Sequence, residues 1–273
     1  MSGGIIRAGV APHTPRMGIE EKAPVFVKEL IKGSYAMGEA IRATKPDVIV
    51  VNSSHWVCTF NWYVTCQAEH KGRCVADEAP DLIPGVPYRY KGDRVYAGAL
   101  VDEIRALGYP CNRNECEHFS WDYGSWVPAH YLDPRAEIPI VLVGTVVSAD
   151  LKEAMAVGTA VKRAAEKTGR NVVFIASCSF THKLVRGPEL WPTEARQALD
   201  RKFIAMITDG RIAEAKAWFP DYTSEVVGEM GGRNIATMLG CLDDDRRYTG
   251  MQYGPYGQSS GSGNANVLLQ PVH

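Results

Sequence analysis

The feature that most constrains the fold is a series of short apolar runs, rich in Val and Ile, separated by longer segments with helical spacing. The clearest runs are residues 5–10, 47–51, 138–147 and 171–176. An apolar run of this length, without regular alternation of polar residues, is typical of a strand that is covered on both faces. The chain therefore predicts an α/β fold with a mixed central sheet flanked by helices on both faces.

The segments between these runs repeat apolar residues every three or four positions, as amphipathic helices do. Helices are predicted at 24–44, 94–107, 152–167, 194–207, 211–217 and 234–242. Residues 56–90 are different because they are rich in aromatic residues, Pro and Gly, and they predict either a small antiparallel excursion or a long loop. No internal repeat and no linker separates domains, so we expect residues 1–273 to form a single domain.

Two segments have a composition typical of loops. Tyr253 to His273 is rich in Gly and Ser until residues 266–269, which predicts a flexible stretch followed by a docked edge strand. The acidic, Pro-rich segment 77–90 is interpreted as a surface loop, with a lid or a subunit interface as alternatives.

Charge and cysteine usage narrow the class of protein. The net charge at pH 7 is −1, so no electrostatic argument favours nucleic acid or an anionic membrane as a partner. No apolar stretch reaches the roughly 18 residues of a membrane span, and residues 1–7 lack the pattern of a signal peptide. The seven cysteines form no C-x-x-C motif, which favours reduced thiols in a cytoplasmic protein over disulfides or a zinc knuckle.

Three of the seven histidines follow predicted strands closely, namely His13, His55 and His182. In α/β sheets the ligand crevice lies beyond the carboxyl ends of the strands. One histidine in such a place is usually a hydrogen-bonded loop residue, but three in equivalent places favour a functional site. Among the others, His70 is interpreted as solvated and His130 as structural.

Four short motifs resemble those of the class III (LigB-type) extradiol ring-cleavage dioxygenases. They are residues 9–15 (G-V-A-P-H-T-P), 46–56 (P-D-V-I-V-V-N-S-S-H-W), 122–128 (D-Y-G-S-W-V-P) and 177–182 (S-C-S-F-T-H). The matches run from about residue 9 to residue 242, so they cover most of the chain, and their number and order carry the resemblance. Residues 83–88 and the overall length resemble most the smaller, α-type subunit of 2-aminophenol 1,6-dioxygenases.

The resemblance implies a site in which two histidines and one carboxylate hold Fe(II) and leave neighbouring positions open. It also implies an aromatic substrate that chelates the metal through two adjacent heteroatoms, with O2 as the second substrate. By the same resemblance, His13 and His55 are iron ligands, and His182 is the general acid and base that moves a proton.

Two positions depart from the family pattern. The family's ligand Glu precedes the last core helix in a pattern like E-x-x-N, and without a gap this position falls on Gly231, which has no side chain. The nearest carboxylates are Glu229 and Glu225. For Glu229 we favour capping of the helix N-terminus, with metal ligation as the alternative. Tyr123 stands where many relatives have His, and it either donates a hydrogen bond to the substrate as a catalytic residue or packs beneath the site.

These departures predict the α-type subunit of a dioxygenase for 2-aminophenol or a related catechol. Its metal site would be degenerate, and it would support a homologous, iron-carrying β-type partner in an α2β2 hetero-oligomer. The first alternative is a self-sufficient dioxygenase with Glu229 as the third iron ligand. The second is a metal-dependent hydrolase built on His13 and His55, although the chain has no H-E-x-x-H motif.

Overall fold

The computed structural model describes residues 3–272, so Met1, Ser2 and His273 lie outside the described residues. The strands are β1 (Gly4–Ala11), β2 (Val48–Cys58), β3 (Trp62–Thr65), β4 (Glu69–Val75), β5 (Pro84–Lys91), β6 (Cys111–Asn114), β7 (Ile140–Val146), β8 (Asn171–Ser177), β9 (Tyr248–Ser259) and β10 (Ser262–Pro271). The helices are α1 (Val25–Ala43), α2 (Arg94–Ala106), α3 (Tyr123–Leu132), α4 (Leu151–Thr168), α5 (Glu194–Thr208), α6 (Ile212–Val226) and α7 (Arg233–Gly240). Three short 3-10 helices occupy Pro15–Met17, Glu20–Lys22 and Glu229–Gly232.

Eight strands form one sheet in the order β6-β3-β7-β2-β8-β1-β10-β9. Strands β7, β2, β8 and β1 are parallel to one another, whereas β10 and β9 run antiparallel at one side and β3 pairs antiparallel with β7. The sheet is therefore mixed, as the sequence predicts. The four parallel strands include all four apolar runs that gave this prediction.

Both faces of the sheet are buried, which explains why the central strands are apolar at successive positions. In β2, Val48 and Val50 pack in the core under α2, α4, α5, α6 and α7. Ile49 and Val51 point to the opposite face and pack with α1, α3 and the β4–β5 hairpin. Because adjacent side chains of a strand point to opposite faces, each run must be apolar throughout. The predicted α/β architecture with helices on both faces is confirmed.

Residues 56–90 contribute to two sheets. Strand β3 joins the main sheet, and β4 and β5 pair as a separate two-stranded antiparallel sheet. The interpretation of 77–90 as a surface loop is correct only for the first part, because residues 84–91 are strand β5. The prediction for His70 is wrong: it is 4% exposed, and its Nε2 donates a hydrogen bond to the Ile140 carbonyl at 3.0 Å.

The prediction for the C-terminal segment is also wrong. Strands β9 and β10 form a hairpin, and β10 lies inside the sheet between β1 and β9 rather than at an edge. The turn Ser260-Gly261 has positive φ at both residues, as a tight two-residue hairpin requires. A Cβ on Gly263 would lie 1.9 Å from Oη of Tyr256, so the glycine permits close packing here and does not mark flexibility.

Across residues 3–272, none of the helices is long and apolar enough to cross a membrane.

Candidate active site

Strand register brings the two motif histidines to the same level of the sheet. Ser177 of β8 lies opposite Ala11 of β1 on one side and Ser53 of β2 on the other. His13 lies two residues beyond Ala11, just after β1 ends. His55 lies two residues beyond Ser53, inside β2, where the pairing with β7 is irregular between Asn52 and Val57. Their ring centroids are 4.9 Å apart. The expectation that both histidines follow a strand is correct for His13 and wrong for His55. The two rings are close because β1 and β2 flank β8 at the same register.

Glu229 completes a group of three possible ligands. Its Oε1 lies 3.2 Å from Nε2 of His13 and 3.8 Å from Nε2 of His55. One ligand atom from each of the three residues lies within 4.8 Å of the others. Burial of the carboxylate opposes its ionisation, but the His13 and His182 imidazoles and the Ser54 hydroxyl outweigh this effect, so the pKa of Glu229 is lowered. The site therefore combines an anionic oxygen with two imidazoles.

The capping interpretation of Glu229 is wrong. Its Oε2 accepts a hydrogen bond from the Ser179 amide at 2.6 Å, and its Oε1 accepts one from the Ser54 hydroxyl. Within the described residues, no side-chain hydrogen bond caps the 3-10 helix that begins at Glu229. Both of these hydrogen bonds aim the carboxylate at the histidines instead. Glu225, the other carboxylate considered, is exposed on α6 and is not in the group.

A left-handed turn explains why the motif did not locate Glu229. Met230, Gly231 and Gly232 all have positive φ, at 48°, 63° and 83°. The chain therefore coils between Glu229 and α7, and two more residues separate the carboxylate from Asn234 than in the family pattern. Asn234 donates to Asn52 in β2, which ties the start of α7 to the strand that carries His55.

A hydrogen-bond chain orients His13. The Ser177 hydroxyl donates to the carbonyl of Gly124 at 2.5 Å, so it can only accept from Nδ1 of His13, 3.0 Å away. The network therefore holds a proton on Nδ1 and leaves Nε2, which faces Glu229, as the nitrogen that a metal would use. A metal-binding histidine needs this arrangement, in which the second ring nitrogen is fixed by an outer hydrogen bond.

The position of His55 depends on the N-terminus of α3. Asp122 caps this helix by accepting from the Ser125 amide at 2.9 Å, and the same oxygen accepts from the Ser53 hydroxyl at 2.5 Å. Ser53 Oγ in turn accepts from the His55 amide at 3.1 Å. Burial, with the neighbouring His13, lowers the pKa of His55 to about 4, so its ring is neutral at pH 7 and available as a ligand.

Tyr123 is the first residue of α3, and its hydroxyl faces the site. Its Oη lies 2.8 Å from Nε2 of His55 and donates to Glu78 at 2.5 Å. Burial and the Glu78 carboxylate raise the pKa of Tyr123, so the phenol is protonated at neutral pH. The ring is 5% exposed. The ring is packed beneath the site, as one interpretation expects, whereas hydrogen-bond donation to a substrate stays a prediction.

His182 also lies at the site, with Nε2 3.9 Å from Oε2 of Glu229. Its amide donates to the Val227 carbonyl at 3.0 Å, so the loop after β8 and the segment before Glu229 are held together. The preceding residue, Thr181, donates its amide to the buried carboxylate of Asp200 at 3.2 Å. His182 is half-buried, which leaves its ring open to a ligand.

These residues line a cavity of about 280 Å³. His13, His55, Tyr123 and His182 form one part of its wall. Other parts come from loops that sequence analysis did not assign to the site: Arg16, Glu78, Ala79, Leu82 and the serines at 259, 260 and 262. Of the alternatives for residues 77–90, this placement favours a lid. Serines and a loop glutamate carry no local signal, and only the tertiary fold brings them here.

The three possible ligands match the donor set of a known class of metal site. Two imidazole nitrogens and one carboxylate oxygen form the ligand set of non-haem Fe(II) sites, in which positions remain open for other ligands. Here the carboxylate is ionised, one histidine is fixed by an outer hydrogen bond, and the other is neutral. The residues therefore fit a divalent metal, and His13, His55 and Glu229 are those that would hold it.

Comparison with known proteins gives the family. A family model described as the catalytic LigB subunit of aromatic ring-opening dioxygenase matches residues 8–268. The chain belongs to the LigB family. A hydrolase therefore has no support from the comparisons, and the resemblance found in the motifs is confirmed over nearly the whole chain.

Three curated relatives of this LigB-family chain are dioxygenases. It is 22% identical to 3,4-dihydroxyphenylacetate 2,3-dioxygenase from Escherichia coli, over 89% of this chain and 92% of the relative. It is 25% identical to the β subunit of 2-aminophenol 1,6-dioxygenase from Pseudomonas sp, over 97% of this chain and 94% of that subunit. It is 22% identical to the α subunit of 2-aminophenol 1,6-dioxygenase from Pseudomonas sp, over 85% of this chain and 86% of that subunit. Among solved structures, the uncharacterized protein JW3007 from Escherichia coli K12 shares the fold, with a TM-score of 0.69 and 20% sequence identity. The match covers 97% of this chain and 99% of JW3007.

Proposed function

We propose that this chain is itself a metal-dependent extradiol dioxygenase in which His13, His55 and Glu229 hold iron(II). The observation that carries the proposal is the convergence of three ligand atoms, from distant parts of the chain, to within 4.8 Å of one another. A structural glutamate would be expected to pair with solvent or with a helix end. Glu229 is instead buried against two imidazoles and receives hydrogen bonds that orient it towards them.

The proposed substrate is a single aromatic ring with two adjacent heteroatoms, such as a catechol or 2-aminophenol. A cavity of about 280 Å³ is at the lower end of the range for small-molecule sites, so a one-ring compound suits it. The chemistry that iron(II) supplies at such a site is Lewis acidity towards a ring hydroxyl and electron transfer with dioxygen.

The side chains of this protein contribute proton transfer and orientation. His182 lies on the pocket wall close to Glu229 and is free to accept a proton from the substrate hydroxyl and return it later. Tyr123 keeps its proton and donates it to Glu78, so it orients Glu78 and the adjacent His55 ring and does not act as a base. Glu78, Ala79 and Leu82 line the side of the pocket that the segment after β4 contributes.

Metal analysis of the purified chain, without any partner, tests the metal site. We expect about one iron per chain, as one site with two histidines and a carboxylate predicts. Glu229→Gln should lose most of it, whereas Glu225→Gln, which alters an exposed carboxylate of the neighbouring helix, should retain it. Equal iron content in both variants would contradict ligation by Glu229.

Oxygen uptake tests the reaction. Catechol and 2-aminophenol are offered to the iron-loaded chain, and ring opening is followed by absorbance. His182→Ala should keep its iron and lose roughly 10²- to 10⁴-fold in turnover, the usual contribution of a general acid and base. Unchanged turnover would reject the proton-transfer role.

A second candidate function is the α-type subunit of a hetero-oligomer, whose catalytic site lies in a homologous β-type partner. The observation that favours it is the hydrogen bond between Tyr123 and Nε2 of His55, the nitrogen a metal would use. Relatives that are named as β and α subunits agree with such a pairing. An iron-free chain that is inactive alone, and that increases oxygen uptake by an added β-type subunit, would establish this function and exclude the first.

A further inference from the structure

A buried carboxylate that does not line the cavity is hydrogen-bonded to the loop that carries His182. This is Asp200 of α5, which is 0% exposed. Its Oδ2 accepts from the Tyr256 hydroxyl of β9 at 2.5 Å and from the Thr181 amide at 3.2 Å. Its Oδ1 accepts from the Tyr222 hydroxyl of α6 at 2.8 Å. One side chain thus connects two helices, a strand and the loop of the site.

The surroundings of Asp200 offer hydrogen-bond donors but no cation. Among residues 3–272 it forms no ion pair, and burial raises the pKa of its carboxyl while the three hydrogen bonds act against this rise. A carboxylate without a cation is costly to bury unless donors satisfy its lone pairs. The three donors are therefore held to the carboxylate, and the backbone of Thr181 is held with them.

The segment 179–182 carries one group of the site and orients another. Its last residue is His182, and its first, Ser179, donates its amide to Oε2 of Glu229 at 2.6 Å. Within the described chain, side chains accept from two backbone amides of this segment, and the two acceptors are Glu229 and Asp200. Of these, only Asp200 lies outside the proposed metal site. It therefore fixes the segment independently of the proposed ligands.

The segment 179–182 is also bonded to its neighbours on two sides. The Gly263 amide of β10 donates to the Thr181 carbonyl at 2.8 Å, and the His182 amide donates to the Val227 carbonyl at 3.0 Å. A Cβ on Gly263 would lie 2.4 Å from Oδ2 of Asp200, so β10 packs directly on the carboxylate. Loss of the carboxylate would loosen the segment together with the backbone that leads into Glu229.

We propose that Asp200 is a positioning residue. Its carboxylate fixes the segment 179–182, and through that segment it sets the places of the His182 ring and the Glu229 carboxylate. The proposal rests on the proposed function for the chemistry that these two groups perform. The attachment of the segment is a property of the metal-free chain, so it can be measured separately from turnover.

Hydrogen exchange of the full-length, metal-free chain, followed by mass spectrometry, measures this attachment. In the wild type, peptides that cover residues 179–182 should exchange as slowly as those of β8, because both should open only with the whole fold. In Asp200→Ala, exchange at 179–182 and 227–229 should become roughly 10- to 100-fold faster relative to β8. This range corresponds to the loss of one hydrogen bond to a charged group.

Two further variants separate positioning from a general loss of stability. Asp200→Asn should exchange like the wild type, because its amide oxygen can accept from Thr181 while its NH2 group donates to the Tyr222 hydroxyl. Tyr222→Phe removes the donor to Oδ1 and leaves Thr181 bound at Oδ2. It should lower the free energy of unfolding without a selective change at 179–182.

Turnover of catechol by the iron-loaded chain is measured in parallel. Asp200→Ala should lower kcat roughly 10- to 100-fold, as for a displaced catalytic group, with a smaller change in KM, and Asp200→Asn should restore kcat. Faster exchange spread evenly over the chain in Asp200→Ala, or an unchanged kcat, would overturn the proposal. So would rapid exchange at 179–182 in the wild type, a result that needs no variant to fold.

The two readouts also distinguish this proposal from the proposed function. A selective change in exchange in Asp200→Ala, with no ring cleavage by the wild type, would refute the dioxygenase and retain the attachment of the segment by Asp200. Ring cleavage that Asp200→Ala leaves intact would retain the dioxygenase and refute the positioning role.

Discussion

At the scale of single residues, the hydroxyl of Ser177 determines which nitrogen of His13 can bind a metal. It donates to Gly124 and accepts from Nδ1. In Ser177→Ala the ring loses this partner, so we expect metal affinity to fall roughly 10- to 100-fold, as with other outer-shell hydrogen bonds. Competition with a metal-binding dye measures the change. Ser224→Ala, at an exposed position of α6, is the control and should bind like the wild type.

The buried His70 should make the free energy of unfolding of the protein depend on pH. Burial lowers its pKa to about 4 in the folded chain, against the hydrogen bond to Ile140, while an unfolded histidine titrates near 6.5. Between these values the unfolded state binds more protons, so stability is full above about pH 6.5 and falls as the pH drops towards 4. The loss reaches roughly 3 kcal/mol at most, at about 1.4 kcal/mol per pKa unit.

Chemical unfolding at pH 7 and pH 5 measures this effect in the wild type and in His70→Gln, which cannot titrate. The variant should lose less stability over that interval. His118→Gln, which replaces an exposed histidine, should follow the wild type. If His70→Gln also follows the wild type, other groups account for the pH dependence.

The sequence predicts which residues meet at the pocket only where their position relative to a strand is enough to place them. His13, His55 and His182 each follow an apolar run, and the sheet brings all three to one pocket. Glu229 stayed ambiguous because its direction depends on backbone dihedrals of the next three residues. Arg16 and Glu78 gave no signal, since their approach to the pocket requires the packing of separate loops.

At the scale of elements, the left-handed turn after Glu229 decides whether the carboxylate reaches the site. Gly232 has φ of 83°, and a Cβ there would lie 2.3 Å from Oγ1 of Thr223 and 2.9 Å from Cζ of Phe219. Gly232→Ala should therefore destabilise the fold by about 2–5 kcal/mol, from backbone strain and overpacking. It should also weaken metal binding, because relief of the clash displaces the start of the turn.

Gly169 provides a control for strain alone. It caps α4 with φ of 67°, and an added Cβ would meet no atom within 4 Å. Gly169→Ala should cost about 1–2 kcal/mol and leave metal affinity unchanged. Denaturation curves and metal titrations of the two variants separate the contributions. Wild-type metal affinity in Gly232→Ala would show that the turn does not position Glu229.

Among the elements, those with strong periodicity were predicted within a few residues, such as α1, α2 and α4. Helix α6 extends to Val226, well beyond the predicted end at residue 217. The Gly and Ser content of residues 253–265 predicts flexibility, whereas the structure places these residues in the β9–β10 hairpin. A Cβ on Gly33 of α1 would lie only 2.3 Å from the carbonyl oxygen of Tyr253 in β9, so the absence of a side chain lets the helix and the hairpin pack closely. Composition alone cannot distinguish a mobile glycine from one at a close backbone contact.

At the scale of the whole molecule, the sheet separates two layers of apolar side chains that the sequence pattern could only imply. Every central strand contributes alternate residues to the two layers, so α/β class and two-sided burial followed from the runs. The order of the strands could not be predicted from the apolar runs, because β10 pairs with β1 and the paired residues are more than 250 positions apart in the sequence. The layers together predict one cooperative unit, although their helices and hairpin come from different parts of the chain.

The reactivity of the cysteine thiols can show whether the two layers unfold together. Cys116 is exposed, whereas the other six are buried. Burial raises the pKa of Cys58 to about 11 and that of Cys74 to about 12, so buried thiolates are scarce. Cys74 lies in the layer of the β4–β5 hairpin, and the other buried thiols lie in the opposite layer.

An aromatic disulfide reagent should therefore modify one thiol per chain rapidly in the native protein, and Cys116→Ser should abolish that phase. If both layers unfold as one unit, the six buried thiols must react together, at a rate set by global unfolding. Mass spectrometry of partly modified samples would then show chains with one label or seven and few between. Early labelling of Cys74 alone would mean that the hairpin opens independently, and that the two layers are not a single cooperative domain.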